Sequence, residues 1–181
     1  YADIPASLRV ELHWRAADAV KTDEPSEALA AVAHHLIEAV EIAGESAVHA
    51  AERAADDAER RFDFEEAIRM RGLALRALDV LGVPATTQRC LLLLGCARAQ
   101  LVLRRVKEAW DTARRAAALA RQTGNIEHLA QAALMLSDHV LVDASEPVAL
   151  LEEVLSLLPP GRSKLRARVA CGLSQMLWYR G

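Results

Sequence analysis

Residues 45–84, ESAVHAAERAADDAERRFDFEEAIRMRGLALRALDVLGVP, hold two amphipathic runs separated by a short break. The first run sets Ala47, Ala51, Ala54, Ala55 and Ala58 on one face, the three-and-four spacing of a helix that buries a stripe. Ser46 stands where an N-cap is expected, since its hydroxyl can accept from the first free amides. Arg61-Phe62-Asp63 makes the turn. The second run carries Phe64, Ala67, Ile68, Ala74, Leu75 and Leu78 at the same period, and Gly82-Val83-Pro84 closes the unit.

Gly82 belongs to a wider pattern. Gly44, Gly82, Gly124 and Gly161 each follow a helical run, at separations of 38, 42 and 37 residues. Glycine at such places ends a helix, because it enters the left-handed region without a Cβ penalty. Each interval has room for two helices and a tight turn. Evenly spaced helix pairs that cover one another's apolar faces define an α-solenoid.

The flanking segments extend the pattern. A helix is expected over about residues 6–21 with Leu8, Leu12, Trp14, Ala16 and Val20. Asp23-Glu24-Pro25-Ser26 breaks it, with Ser26 or Asp23 as N-cap, and a second helix runs from Glu27 to Ile42. Cys90 to Leu103 is apolar nearly all round, interrupted by Arg98 and Gln100; such a helix must be covered on more than one side. Its partner shows one stripe of Val106, Ala109, Trp110, Ala113, Ala116, Ala117 and Ala120. Residues 126–141 pair with 147–158, and a last helix over 163–180 either caps the stack or marks an interruption. The expected fold is all-α: about nine helices in antiparallel pairs, wound as a right-handed α–α superhelix.

Composition agrees. The 181 residues are 52% hydrophobic but only 4% aromatic, so the core must be Ala, Leu and Val, which lets helix axes approach closely. A net charge of −3 argues against a dedicated nucleic-acid surface. Arginine outnumbers lysine 19 to 3, which reads as coding bias rather than a phosphate-binding stripe. No uncharged apolar run is long enough to span a bilayer, and no signal-peptide pattern is present. Cys90, Cys96 and Cys171 lack paired spacing and sit in apolar runs; buried free thiols in a reducing cytoplasm are expected. The chain opens without Met and stops one residue after a helical run, as a segment of a longer protein would.

Two resemblances sharpen this reading. Phe64-Glu65-Glu66-Ala67-Ile68 with Ala74-Leu75 resembles the second half of a tetratricopeptide repeat. Val106-Lys107-Glu108-Ala109-Trp110 with Ala116-Ala117 looks like the same element 42 residues later, and Val148 to Glu153 like a weaker third copy. The expected tetratricopeptide period is about 34 residues, so these would be longer versions. Leu12-His13-Trp14-Arg15-Ala16-Ala17 is similar to the helix that closes the ATPase module in signal-transduction ATPases of the STAND class, many of them LuxR-type transcription regulators. Ala33-His34-His35-Leu36-Ile37-Glu38-Ala39 looks like their following segment, and Leu150 to Glu153, Pro159-Pro160-Gly161 and Leu165 to Arg168 like their helical sensor region. The resemblance implies that residues 1–44 form a helical pair after an ATPase module and that 45–181 are tetratricopeptide-like repeats. It implies a sensor or interaction arm, neither motor nor DNA reader. Expected partners are a protein or peptide, a small-molecule inducer, or the ATPase module of the same polypeptide; no membrane or direct nucleic-acid contact is expected.

Chemistry-bearing candidates are few. No Walker A loop exists, and Gly161-Arg162-Ser163-Lys164 reads as a turn with Ser163 as N-cap. His34 and Glu38 share a helix face with His35 beside them, but a zinc site needs further ligands, which no Cys-x-x-Cys or second His pair supplies; no metal or other cofactor is expected. His128 and His139 are eleven residues apart and lack a partner at useful spacing. Ser137-Asp138-His139 reads as part of a helix rather than a triad, since adjacent helical residues point in different directions, and no enzymatic activity is expected. The pairs Arg60-Arg61, Arg104-Arg105 and Arg114-Arg115 read as solvated helix faces. What remains is the groove that first helices line in tetratricopeptide repeats. Carried over from Ala67, its residues are His49, Glu52, Asp56 and Glu59; from Ala109, Arg98; from Ala149, Gln131 and Asp138.

Overall fold

The computed structural model describes residues 5–20, 25–84, 86–138, 144–161 and 163–180, apart from the side chains at 25, 26, 179 and 180. Among the described residues every regular element is helical. The chain divides into two compact units, Tyr1–Pro84 and Ala85–Gly181.

The first unit holds α1 (Ala6–Ala19), α2 (Pro25–Glu38), a single turn α3 (Val40–Ala43), α4 (Glu45–Arg60) and α5 (Phe64–Val80). The α4–α5 pair is the tightest, and α2 packs on both of its members. Ala47, Ala51, Ala54, Ala55 and Ala58 of α4 are buried, as are Ala67, Ala74 and Ala77 of α5, and the two helices pack on each other and on α2. Methyl-sized side chains let the backbones close in, and Val48, Met70 and Leu78 fill the remaining space. Each of these larger side chains contributes about 1.5–3 kcal/mol on full burial. The expected boundary at Gly44 lies inside this unit.

The second unit holds α6 (Thr87–Val102), α7 (Val106–Thr123), α8 (Ile126–Asp138), α9 (Ser145–Leu157) and α10 (Lys164–Arg180). Successive helices pack pairwise from α6 to α10, and α8 also touches α6 and α10. The helix read as apolar all round is covered accordingly: Cys90, Leu92, Leu93, Leu94, Cys96, Ala97 and Ala99 are buried. Trp110 is buried in α7 with Ala109, Ala113, Ala116, Ala117 and Ala120. At Gly172 a Cβ would lie 3.3 Å from Leu134 and 3.4 Å from Ser137, so the missing side chain lets α10 approach α8.

All four marker glycines have positive φ. At Gly124, the Asn125 amide reaches back to the Ala120 carbonyl at 2.9 Å, the Schellman closure that a left-handed residue after the C-cap permits. The turns inside the two clearest pairs use the same closure without glycine. Phe62 (φ 63°) lets the Asp63 amide bond Ala58 at 2.8 Å, and Arg104 (φ 62°) lets Arg105 bond Gln100 at 2.9 Å.

Several local expectations are revised. The second helix starts at Pro25 rather than Glu27, so Ser26 lies within it; Asp23 falls outside the described residues. That helix ends at Glu38, because Ala39 (φ −106°, ψ 24°) leaves helical geometry before the single turn of α3. Gly44 takes the N-cap position of α4, and Ser46 instead donates to the Ala43 carbonyl at 2.5 Å. Cys171 is exposed, unlike Cys90 and Cys96, since α10 turns that face away from α8 and α9. Ser163 caps α10 as expected, accepting from the Arg166 amide at 3.1 Å.

Candidate functional site

The polar stripe of α4 follows from its sequence. His49, Glu52, Asp56 and Glu59 repeat at intervals of three, four and three, beside the alanine face that packs away from water. His49 and Asp56 are exposed, Glu52 and Glu59 half-buried. The His49 ring and the Glu52 carboxylate lie 3.2 Å apart. Asp56 and Glu59 converge on one cation, the Arg71 guanidinium of α5, which is itself buried. A buried guanidinium must be paired, so two of the four candidates already hold the helix pair together. A ligand on this stripe meets His49 and Glu52 first and competes with Arg71 for the other two.

The remaining candidates lie in the second unit. Arg98 is exposed on α6, and Gln131 and Asp138 are exposed on α8. Ser137, beside Asp138, is buried and donates to the Leu134 carbonyl at 2.9 Å, which occupies its hydroxyl hydrogen. His139 falls outside the described residues. His128 is buried, and its Nδ1 has no hydrogen-bond partner among the described residues.

Arginines of the paired motifs are engaged. Arg60 and Arg61 both reach Asp57, at 3.2 and 3.0 Å. Arg114 grips Glu146 of α9 through Nε at 2.8 Å and Nη2 at 2.5 Å, bonds Asp111 at 3.3 Å, and lies 5.2 Å from the centre of the Trp110 ring. Arg121, two turns on, repeats the grip on Glu153 at 2.8 and 2.6 Å. Bidentate pairing of this kind fixes orientation as well as charge. Hydrogen bonds from Arg114 and Arg121 hold the Glu146 and Glu153 carboxyls below the usual range. The two clamps flank a cleft of about 250 Å³ whose walls include Ala117, Leu136, Ala149 and Leu150. They tie α7 to α9.

A third cluster needs the fold to appear. His13 of α1 comes against His34 and His35 of α2, with ring centroids 5.9 Å and 5.1 Å away, while His34 and His35 are 5.5 Å apart. The Nδ1 atoms of His13 and His35 lie 2.9 Å from each other, so one donates and the other accepts. Burial, and then the neighbouring His13 and His34, push the His35 pKa down, with Glu38 opposing. One ring nitrogen from each of the three lies within 4.8 Å of the others. Sequence reading had His34, His35 and Glu38 but lacked the third imidazole, which arrives from 21 residues upstream of His34. The signal that could have found it is the antiparallel pairing of α1 with α2.

Cys90 is an inert thiol. It donates to the Ala116 carbonyl at 3.4 Å, and burial pushes its pKa up.

No protein-family model matches this chain, and no curated protein matches it. Among solved structures, it is similar to nearly identical TPR-like repeats of a Podosopora anserina protein assigned as a kinesin light chain. The TM-score is 0.63 at 16% identity, covering 99% of this chain and 89% of that one. The likeness supports the fold: an all-α, tetratricopeptide-like α–α superhelix class.

Proposed function

We propose that this chain is a protein-interaction module that presents the polar stripe of α4 to a partner. The observation that carries the reading is the division of α4 into a buried alanine face and a stripe of His49, Glu52, Asp56 and Glu59. Tetratricopeptide-like repeats generally mediate protein–protein contact, and the acidic character of this stripe favours a basic peptide. Such contacts act through charge complementarity and weaken with salt. Titration of arginine- and lysine-rich fluorescent peptides should give micromolar binding that Glu52→Arg weakens at least tenfold. Binding that is indifferent to Glu52→Arg and to added salt would refute the α4 assignment.

We further propose that the module serves as the regulatory arm of a larger ATP-dependent transcription regulator of the cytoplasm. Residues 1–44 would then follow its ATPase, and 45–181 would form the repeat region. The support is the resemblance at Leu12–Ala17 and Ala33–Ala39. In this reading a partner protein, a small-molecule inducer or the ATPase module itself occupies the repeats. The second unit, taken by itself, offers exposed polar contacts at Arg98, Gln131 and Asp138. The module is non-catalytic and contacts neither nucleic acid nor membrane; no described helix is long and apolar enough to cross a bilayer. The full coding sequence decides between this and a free-standing scaffold. A P-loop upstream, with ATP hydrolysis altered by Glu52→Arg, favours the regulator; a coding sequence without one favours the scaffold.

A further inference from the structure

We infer that His13, His34 and His35 form a binding site for a late first-row divalent cation, with zinc as the natural occupant, stapling α1 to α2. The inference starts from the ligand chemistry. Neutral imidazole suits zinc and its neighbours, and three protein ligands with an open fourth position is a recurrent zinc arrangement. All three rings are in the first unit, and one nitrogen from each already falls inside a 4.8 Å span.

The distances allow the closure. Zinc–nitrogen bonds of about 2.0–2.1 Å in tetrahedral geometry put ligand nitrogens about 3.3–3.4 Å apart. The His13–His35 pair, at 2.9 Å, must open by about 0.4 Å. The widest pair closes by about 1.5 Å at most, within reach of modest χ rotations. His34 and His35 are adjacent on α2 and diverge around its axis, yet their ring centres are only 5.5 Å apart, and His13 comes within 6 Å of both. A cation at the centroid therefore replaces one inter-ring hydrogen bond with three coordinate bonds. Water, or the carboxylate of Glu38 one turn after His34, completes the set.

A consequence follows for the fold. Among the described residues α1 packs mainly against α2 and α3, and its Leu8 and Leu12 are nearly half exposed. A cation bridging His13 to α2 adds a cross-link where apolar burial is thin. A ligand that binds only the folded pair raises its stability by mass action.

The test is titration of tag-free, EDTA-stripped full chain with ZnCl₂ by calorimetry, and with CoCl₂ by visible absorption. One equivalent of Zn²⁺ should bind with about micromolar affinity or tighter, and Co²⁺ should develop the d–d bands of a tetrahedral site. His13→Gln and His35→Gln should each weaken binding at least about tenfold. His34→Gln should do the same while leaving the α1–α2 contact intact, because His34 is exposed. His49→Gln should leave affinity unchanged. Zinc should raise the Tm of the parent but not of the triple variant. No binding by the parent, binding that survives all three substitutions, or binding lost in His49→Gln would overturn the assignment.

Discussion

Phe62 and Arg104, 42 residues apart, hold the same left-handed backbone position, with φ of 63° and 62°. Each sits between the two helices of a pair and allows the same amide-to-carbonyl closure behind the first helix. The second helices then begin at Phe64 and Val106, also 42 residues apart, with Ala67 and Ala109 buried at matching positions. Successive pairs thus share one turn geometry as well as one apolar pattern.

That geometry costs energy where the residue has a Cβ. A left-handed non-glycine residue is disfavoured by about 1–2 kcal/mol, partly offset by the greater chain entropy that glycine loses on folding. Arg104 is exposed, so removing its side chain forfeits little packing. Arg104→Gly should stabilise the chain by about 0.5–1 kcal/mol in urea unfolding. A loss of stability would show that the position is not held left-handed.

Trp110 is the largest side chain in the α7 core. Trp110→Ala should cost about 3–5 kcal/mol, as other large core truncations do. The same change removes the ring beneath Arg114. A denaturant midpoint corresponding to less than about 1 kcal/mol would mean that the indole is not buried in solution.

The Arg114–Glu146 and Arg121–Glu153 clamps set a pH dependence. Both carboxyl pKa values are lowered, chiefly by the arginine hydrogen bonds, relative to an unfolded value of about 4.3. Their contribution is therefore fully present above that value and lost as pH falls through the depressed folded values. Because all four side chains are partly exposed, each pair contributes only about 0.2–1 kcal/mol. Glu146→Gln with Glu153→Gln should lower stability near pH 7 and converge with the parent in acid, once both carboxyls are protonated in the folded chain as well. An equal gap at both pH values would rule out the charge explanation.

The glycine markers and alanine stripes made the helix pairs legible, because conformational freedom and helical period are local properties. The turns at Phe62 and Arg104 carry no glycine, so nothing at those positions announces their left-handed geometry. The site was less legible for a different reason. The tetratricopeptide resemblance implies a groove role for Asp56 and Glu59, yet Arg71 of the next helix claims both. His13 joins His34 and His35 only through the α1–α2 packing. Partnerships between helices depend on side-chain reach across a seam, which one-dimensional periodicity does not encode.

The equivalence of Ala67 and Ala109 at the crossings is tested most directly by equilibrium unfolding of charged substitutions in the same turns. Ala67→Arg and Ala109→Arg should each cost at least about 3 kcal/mol, because a long cation has no space in a closed alanine seam. Glu65→Arg and Glu108→Arg, on exposed faces in the first turns of the same helices, should each cost no more than about 1 kcal/mol, the loss of a favourable charge at the helix N-terminus. An Ala67→Arg variant that unfolds at the parental midpoint would contradict the repeat register, and with it the paired-helix architecture described for this chain.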